Sequence, residues 1–208
     1  MSTEQRRAEL RQALLEAAER KIAAEGLKAL KARALAAEAG CAIGQIYNVW
    51  PDLDSLIIAV NSRTLNDLDA QLMAARVPAA PSPAAEARAV LLAQADAYVN
   101  FARLNAERWR AVFEHRLAGS RPLPAWYREQ QARLFAHVDR PLQALLPGLP
   151  PAERGALSRS IFSAVHGIAW LGLEELLGPQ SHQDLRSQLR LVMGAIVAGL
   201  SEAPFAKP

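Results

Sequence analysis

The sequence has little of what disulfide, zinc and membrane proteins need. Its 208 residues include one cysteine, Cys41, so an intramolecular disulfide is excluded and a cysteine-based zinc site is not indicated. The most apolar stretch, residues 161–177, is interrupted by His166, Glu174 and Glu175 and falls short of a membrane span. The N-terminal segment is polar, without the apolar run of a signal peptide. We therefore expect a cytoplasmic protein with no membrane segment, metal or cofactor.

Motifs that carry catalysis are missing as well. The sequence has no Gly-x-Ser-x-Gly nucleophile elbow, no phosphate-cradling glycine loop and no zinc-binding His-Glu-x-x-His. A helical bundle can host a di-iron centre, but that chemistry uses Glu-x-x-His pairs, and none occurs. We expect no catalytic residue and no enzymatic activity.

Aromatic residues make up only 6% of a chain that is 51% hydrophobic, because alanine and leucine dominate. That composition is typical of packed helices rather than sheets. The sequence therefore predicts an all-α protein. Its formal net charge of +3 is small, so bulk charge indicates nucleic-acid binding only weakly.

Helical periodicity extends through most of the chain, and Gly, Pro and capping residues mark its interruptions. The predicted helices cover residues 6–25, 32–39, 43–50, 52–72, 83–104, 106–117, 125–146, 151–177 and 182–201. Pro141 is expected to kink or split its helix, since proline removes an amide donor and collides with the preceding turn. We place a domain boundary near Asn61, with a small domain at residues 1–60 and a larger helical bundle at residues 61–208.

Residues 32–56 show the pattern of two short helices joined by a tight turn. Ala36 and Ala39 are small and lie three apart, which lets the next helix cross closely, and Gly40 suits a left-handed turn. A miniature core is predicted from Leu35, Cys41, Ile46 and Val49. The residues left on the outer side and N-terminal end of the second short helix are Ala42, Ile43, Gly44, Gln45, Tyr47 and Asn48. In helix-turn-helix proteins this part enters a major groove.

Here the chain resembles the TetR family of transcriptional regulators. The resemblance runs from Leu14 to Leu56 and rests on Gly26, the run LAAEAGCAIGQIYNVWPDLDSL, and Tyr47 three positions before Trp50. A second stretch, AVHGIAWLGLE, resembles the His-Gly (WHG-type) signature of one TetR C-terminal class, with RWRAVFEHRL and PLPAWY upstream as that class places them. The family resemblance implies an N-terminal three-helix helix-turn-helix domain and a larger ligand-binding and dimerisation domain.

The resemblance also implies which residues contact double-stranded DNA. Residues Ala42, Ile43, Gly44 and Gln45 would approach base edges, whereas Tyr47 and Asn48 would lie against phosphates. The Gln45 amide can bond adenine in bidentate fashion, and Ile43 can touch a thymine methyl. Salt-dependent attraction to phosphates is expected from Lys28, Lys31, Arg33, Arg6, Arg7 and Arg11. Lys31 stands where the family usually has a capping Ser or Thr.

Two further expectations concern the larger domain. The last two helices carry glycines that permit close approach, so we expect them to pair with their copies in a homodimer, although an intrachain core is the alternative. Aromatic and histidine residues suit an apolar cavity with a few polar anchors, although each is also an ordinary core residue. The predicted ligand contacts are Trp109, Phe113, His115, Trp126, Tyr127, His166 and Trp170.

The sequence thus predicts a ligand-responsive DNA-binding regulator that reads a pseudo-palindromic operator as a homodimer. Family resemblance implies a repressor that an unidentified small-molecule effector releases from its operator. The alternative is a helical dimer that binds DNA architecturally, or a non-DNA partner, without responding to a ligand.

Overall fold

The computed structural model of the chain describes residues 2–75, 77 and 79–200. Throughout these residues the regular structure is helical, so the all-α prediction is confirmed. Short 3-10 turns lie at Leu27–Ala29 and Ala118–Ser120. The α-helices are α1 (Thr3–Glu25), α2 (Ala32–Glu38), α3 (Ile43–Val49), α4 (Leu53–Met73), α5 (Pro83–Leu104), α6 (Ala106–Glu114), α7 (Ala125–Leu145), α8 (Pro151–Leu173) and α9 (His182–Gly199).

Helices α4 and α9 each begin at a side-chain cap. Asp52 Oδ1 accepts the backbone N–H of Ser55 at 2.7 Å and opens α4. Ser181 Oγ accepts the N–H of Asp184 at 3.1 Å, while the Asp184 carboxylate accepts the N–H of Ser181 at 3.1 Å, which completes a capping box for α9. The predicted last residue of that helix, Ser201, lies outside the described residues.

Several helix ends differ from the periodic pattern. Helix α8 stops at Leu173 instead of Leu177, because Glu175 adopts a left-handed φ of 52° and the N–H of Leu176 turns back to the Leu171 carbonyl at 3.1 Å. Helix α6 stops at Glu114 instead of Leu117. Pro141 does not split α7, which continues as one helix to Leu145.

The chain forms two compact units. Among the described residues, the first unit contains those up to Asp67 together with Asn105–Gln130, and the second contains those from Leu68 to Leu104 and from Gln131 to Leu200. In the first unit α6 packs against α1, beside α2, α3 and most of α4. In the second unit α5 packs against α8 and α9, and those two helices pack against each other. The predicted boundary at residue 60, between a DNA-binding domain and a ligand-binding domain, stays a prediction.

Across the described part of the chain, no helix combines the length and hydropathy needed to cross a bilayer.

Candidate nucleic-acid interface

The turn between α2 and α3 is built by backbone hydrogen bonds around Gly40. The N–H of Cys41 donates to the Ala36 carbonyl at 2.9 Å, and the N–H of Gly40 donates to the Ala37 carbonyl at 3.3 Å. This pair of bonds is a Schellman motif, which requires a left-handed residue at the position of Gly40, whose φ is 63°. The motif ends α2 and fixes the direction in which α3 leaves.

A small core holds α3 against the rest of the first unit. Leu35 and Ile46 are fully buried, and Val49 and Trp50 are nearly so. Cys41 is half-buried and packs against the same cluster, as expected for a small apolar side chain. Residues of three other helices complete this core, among them Leu14, Ala18, Ile22, Leu56, Val60 and Ala111. The side of α3 that carries Ile46 and Val49 therefore packs in the protein interior and is not available to a partner.

The opposite side of α3 is open to solvent. Ile43 and Tyr47 are large side chains that remain 42% and 49% exposed, although the protein has a core to bury them in. Helical periodicity places Gly44 and Asn48 on this face too, away from Ile46 and Val49. All the predicted DNA contacts lie exposed in the first unit: Lys31, Arg33, Ala42, Ile43, Gly44, Gln45, Tyr47 and Asn48.

Gln45, a predicted base contact, has a local structural role at the start of α3. Its Oε1 accepts the backbone N–H of Ala42 at 2.8 Å, so the side chain satisfies an amide at the start of α3. Lys31, at the start of α2, makes no capping bond with its side chain. The carboxamide of Gln45 still carries its NH₂ donors and one acceptor lone pair, the groups that bidentate adenine contact requires.

Arg11 joins α1 to the C-terminal end of α3. Its Nη1 donates to the Val49 carbonyl at 2.5 Å, and its guanidinium lies over the Trp50 ring, 3.5 Å from the centroid. Trp50 Nε1 donates in return to the Arg11 carbonyl at 3.3 Å. A cation at a helix C-terminus also interacts favourably with the helix dipole. Arg11 was expected to contact a phosphate, whereas in the structure its guanidinium bonds the Val49 carbonyl and covers Trp50.

Within the first unit, Arg121 holds the start of α4. Its guanidinium donates to Asp52 at 2.9 Å and to Asp54 at 2.8 Å, and the N–H of Ala118 also donates to Asp54 at 3.0 Å. Hydrogen bonds from Ser55, followed by the contact with Arg121, hold the pKa of Asp52 below its usual value. Sequence reasoning missed this cluster, because no periodicity pairs residues so distant in the chain.

A second ion-pair cluster lies between α1, α4 and α6. Arg108 donates to Asp67 at 2.6 Å and lies 3.0 Å from Glu19, which also accepts from Arg63 at 2.8 Å. Nearby, Asn61 is buried and its Nδ2 donates to the Ala111 carbonyl at 3.2 Å. These bonds make α6 part of the same unit as the helix-turn-helix.

The predicted ligand contacts fall into two groups, one in each unit. In the first unit Trp109 is buried and packs edge-on against Phe113, with ring centroids 5.6 Å apart. Trp126 is half exposed beside Tyr127. Tyr127 is buried, its hydroxyl has no hydrogen-bond partner among the described residues, and burial raises its pKa to about 12. His115 is half-buried, and burial lowers its pKa despite the neighbouring Asp54.

The second group centres on His166. Tyr98 Oη lies 2.8 Å from His166 Nδ1, and the His166 ring stacks on Phe162 at 5.5 Å and lies 5.9 Å from Trp170. Phe135 contacts Phe162 edge-on at 5.4 Å. Burial lowers the pKa of His166, which favours the neutral ring. The cluster contains His166 and Trp170, two of the predicted ligand contacts, together with Phe162, which was not among them. Their role in ligand binding stays a prediction.

A polar chain of side chains lies in the same unit as this aromatic cluster. His137 Nε2 lies 2.6 Å from Asp69 Oδ1, and His137 Nδ1 lies 3.4 Å from Gln94 Nε2. If Nε2 carries the proton, Nδ1 accepts from Gln94 and all the contacts are matched. Gln94 Oε1 is then left buried with no partner among the described residues. An unmatched buried acceptor of this kind suits a ligand donor.

Comparison with known proteins defines the class of fold. A structure from Rhodococcus sp. RHA1, described as a protein with unknown function, is 23% identical, with a TM-score of 0.72 over 92% of this chain and 95% of that one. A TetR transcriptional regulator from Streptomyces coelicolor is 21% identical, with a TM-score of 0.61 over 95% and 99% of the two chains. BioQ, solved with its double-stranded DNA operator, is 19% identical, with a TM-score of 0.61 over 93% and 98%.

These likenesses define a TetR-like helix-turn-helix fold. The family model described as "Tetracyclin repressor-like, C-terminal domain" matches residues 91–196. That match covers half of the chain, so the chain belongs to the TetR family of transcriptional regulators. No curated protein matches it in sequence.

Proposed function

We propose that this regulator binds a pseudo-palindromic operator as a homodimer and is released from it by a small molecule. The main support for DNA binding is that α3 buries Ile46 and Val49 while it keeps Ile43 and Tyr47 exposed. The Ile43 side chain and the Tyr47 ring lie one turn apart on α3, and the apolar surface that they expose together suits a partner that covers it. A major groove presents thymine methyl groups and phosphates that suit these side chains. BioQ, which shares the fold, was solved on its operator.

Base readout is assigned to the start of α3. Gln45 reads adenine, Ile43 contacts a thymine methyl, and Tyr47 and Asn48 bond phosphates. Lys31 and Arg33 are exposed and contribute electrostatic attraction. Two copies of α3, spaced by about 34–36 Å in a dimer, would match successive major grooves.

The dimer interface is assigned to the outer faces of α8 and α9. Leu171, Leu191 and Val192 remain 39%, 76% and 38% exposed there, and Gly199 is exposed at the end of α9. Other apolar residues on these helices, including Ile161, Val165 and Leu189, are buried within the chain. The two helices therefore serve the intrachain core with one face and keep a second apolar face for a copy of the chain.

Ligand binding is assigned to the predicted set in both units, with the His166 cluster as its best supported part. Aromatic faces, a neutral His166 and the unmatched Gln94 oxygen suit an uncharged planar molecule with a hydrogen-bond donor. Within the first unit, the Tyr127 hydroxyl has no partner among the described residues and offers a polar anchor to a ligand bound there. A ligand that prefers a conformation with another spacing of the recognition helices by about 1–3 kcal/mol would weaken operator binding enough for regulation.

The decisive experiment is selection of bound fragments from the source genome, followed by fluorescence anisotropy on the enriched sequence. We expect a palindrome, and we expect Gln45→Ala to weaken its binding by about tenfold and to relax one base position. Gln45→Glu is the matched variant, because its carboxylate keeps the acceptor for the Ala42 N–H but mismatches adenine. Arg128→Gln, an exposed change on α7, should have no effect.

An architectural role makes the opposite prediction. Binding would then show no enriched sequence, and Gln45→Ala would behave like the Arg128 control. The ligand response is tested separately, by titrating compounds that quench tryptophan fluorescence into the operator complex. A compound that saturates the protein without changing operator affinity is not an inducer.

A further inference from the structure

The second unit has a cavity that belongs to neither group of predicted ligand contacts. Its volume is about 350 Å³, and it is lined by His182, Gln183, Arg186, Ser187 and Arg190 of α9. A cavity of this size accommodates a small metabolite. Every lining side chain is polar, so its chemistry differs from that of the aromatic cluster around His166.

The cavity carries an excess of positive charge. Arg186 and Arg190 converge on one carboxylate, with Nη2 of each arginine bonded to Asp96 Oδ2 at 2.8 Å and 3.1 Å. Arg186 Nε adds a bond to Asp96 Oδ1 at 3.3 Å. One carboxylate neutralises only one of the two guanidinium groups, and each guanidinium has five N–H donors. The Arg190 side chain is 62% exposed, so its remaining donors are accessible to a ligand.

The pKa of His182, which lines the same cavity, is lowered in part by nearby positive charges. Burial lowers its pKa first, and the nearby Arg103 and Arg186 lower it further, with Asp96 opposing them. Its Nδ1 is buried and has no hydrogen-bond partner among the described residues. The groups that face this ring are thus mainly cationic, and the ring has an unused hydrogen-bonding atom.

We propose that this cavity is a binding site for a small oxyanion, the phosphate or carboxylate group of a metabolite. Arg190 and Arg186 bind the anion, because guanidinium groups match oxyanions in charge and in bidentate geometry. Asp96 competes with the anion for these same two arginines. This site is additional to the aromatic ligand cluster and does not depend on DNA binding.

The test uses the full chain and two probes, inorganic phosphate and malonate, each titrated at constant ionic strength with chloride as background. Dissociation constants come from NMR shifts of the amides of residues 182–190. Arg190→Gln should weaken binding by about tenfold, because it removes a charge-assisted contact. Asp96→Asn should tighten binding by a similar factor, because it removes the competitor. Arg140→Gln, an exposed arginine on α7, is the matched control and should change nothing.

Opposite signs for the Arg190 and Asp96 variants, together with a rise in the His182 pKa when the anion binds, would support the site. The tighter-binding probe would identify the group as phosphate or carboxylate. The proposal fails if neither probe gives a saturable shift, or if Arg190→Gln and Arg140→Gln bind alike. If circular dichroism shows that Asp96→Asn is unfolded, the comparison of the two arginine variants decides alone.

Discussion

Arg11 is the residue whose structural position most changes its expected role. It sits on the first helix among arginines suited to phosphate contacts, yet it bonds the Val49 carbonyl and covers Trp50. A cation held in this way positions α3 from its C-terminal end. Such a contact is invisible to sequence reasoning, because residues 11 and 49 belong to helices whose packing must be known first.

Substituting Arg11 by Gln should therefore destabilise the first unit and weaken operator binding without changing the number of phosphate contacts. Loss of the hydrogen bond and the cation–π contact predicts a decrease of about 1–2 kcal/mol in the free energy of unfolding. The slope of log K against log salt concentration should stay as in the wild type. Urea unfolding and anisotropy at several salt concentrations measure the two effects.

Arg7→Gln is the control for that experiment, because Arg7 is exposed on the same helix and is assigned to a phosphate. It should leave stability unchanged and reduce the salt slope by about 0.9, the value for one lost phosphate contact. If Arg11→Gln lowers the slope by the same amount and leaves stability intact, Arg11 is a phosphate contact and its positioning role is refuted.

At the scale of helices, turn chemistry explains which boundaries were predictable. Gly40 marked the end of α2 correctly, because glycine is the usual residue at a left-handed helix terminus. Glu175 occupies the equivalent place after α8, and no sequence rule anticipates a glutamate there. The predicted helix consequently ran on to Leu177, a leucine that the structure leaves 70% exposed.

Alanine substitutions at Gly40 and at Gly44 are predicted to change the free energy of unfolding in opposite directions. Gly40→Ala should destabilise the protein by about 1–2 kcal/mol, since its φ of 63° is strained for alanine although a Cβ would meet no atom within 4 Å. Gly44→Ala lies within α3 and also meets no atom within 4 Å, so it should stabilise by about 0.5–1 kcal/mol. Urea unfolding of both variants checks the pair, and equal signs would contradict the turn argument.

For the whole molecule, sequence periodicity was sufficient to identify an all-α chain and a helix-turn-helix. It did not indicate that α6 belongs to the same unit as the helix-turn-helix. Periodicity indicates which face of a helix is buried and is silent about its neighbour. The placement of α6 depends on tertiary contacts such as Asn61 with the Ala111 carbonyl and Arg108 with Glu19. The ligand prediction had a similar limit. It grouped aromatic residues by type alone, and the structure distributes those residues over two units.

Between about pH 7.5 and 5, partly buried histidines should govern how stability depends on pH. Burial holds the pKa of His115 and His166 below the ordinary value of 6.5, and His182 is shifted in the same direction. Below pH 6.5 the unfolded chain therefore binds more protons than the folded chain, so stability should fall as the pH drops through that value towards the folded pKa. It should be fully retained above pH 6.5, in contrast to a histidine that gains an acidic partner.

His166→Gln tests this prediction, since it removes one of the three histidines with a lowered pKa. The thermal midpoint of the variant, followed by circular dichroism, should decline less steeply between pH 7.5 and about 5 than that of the wild type. Tyr98→Phe is the control, because it deletes the hydroxyl bonded to His166 but keeps the ring buried, and should retain the steep decline. A direct NMR titration of His166 in the wild type with a midpoint at or above 6.5 would show that burial does not govern its pKa, and the predicted acid sensitivity would lose its cause.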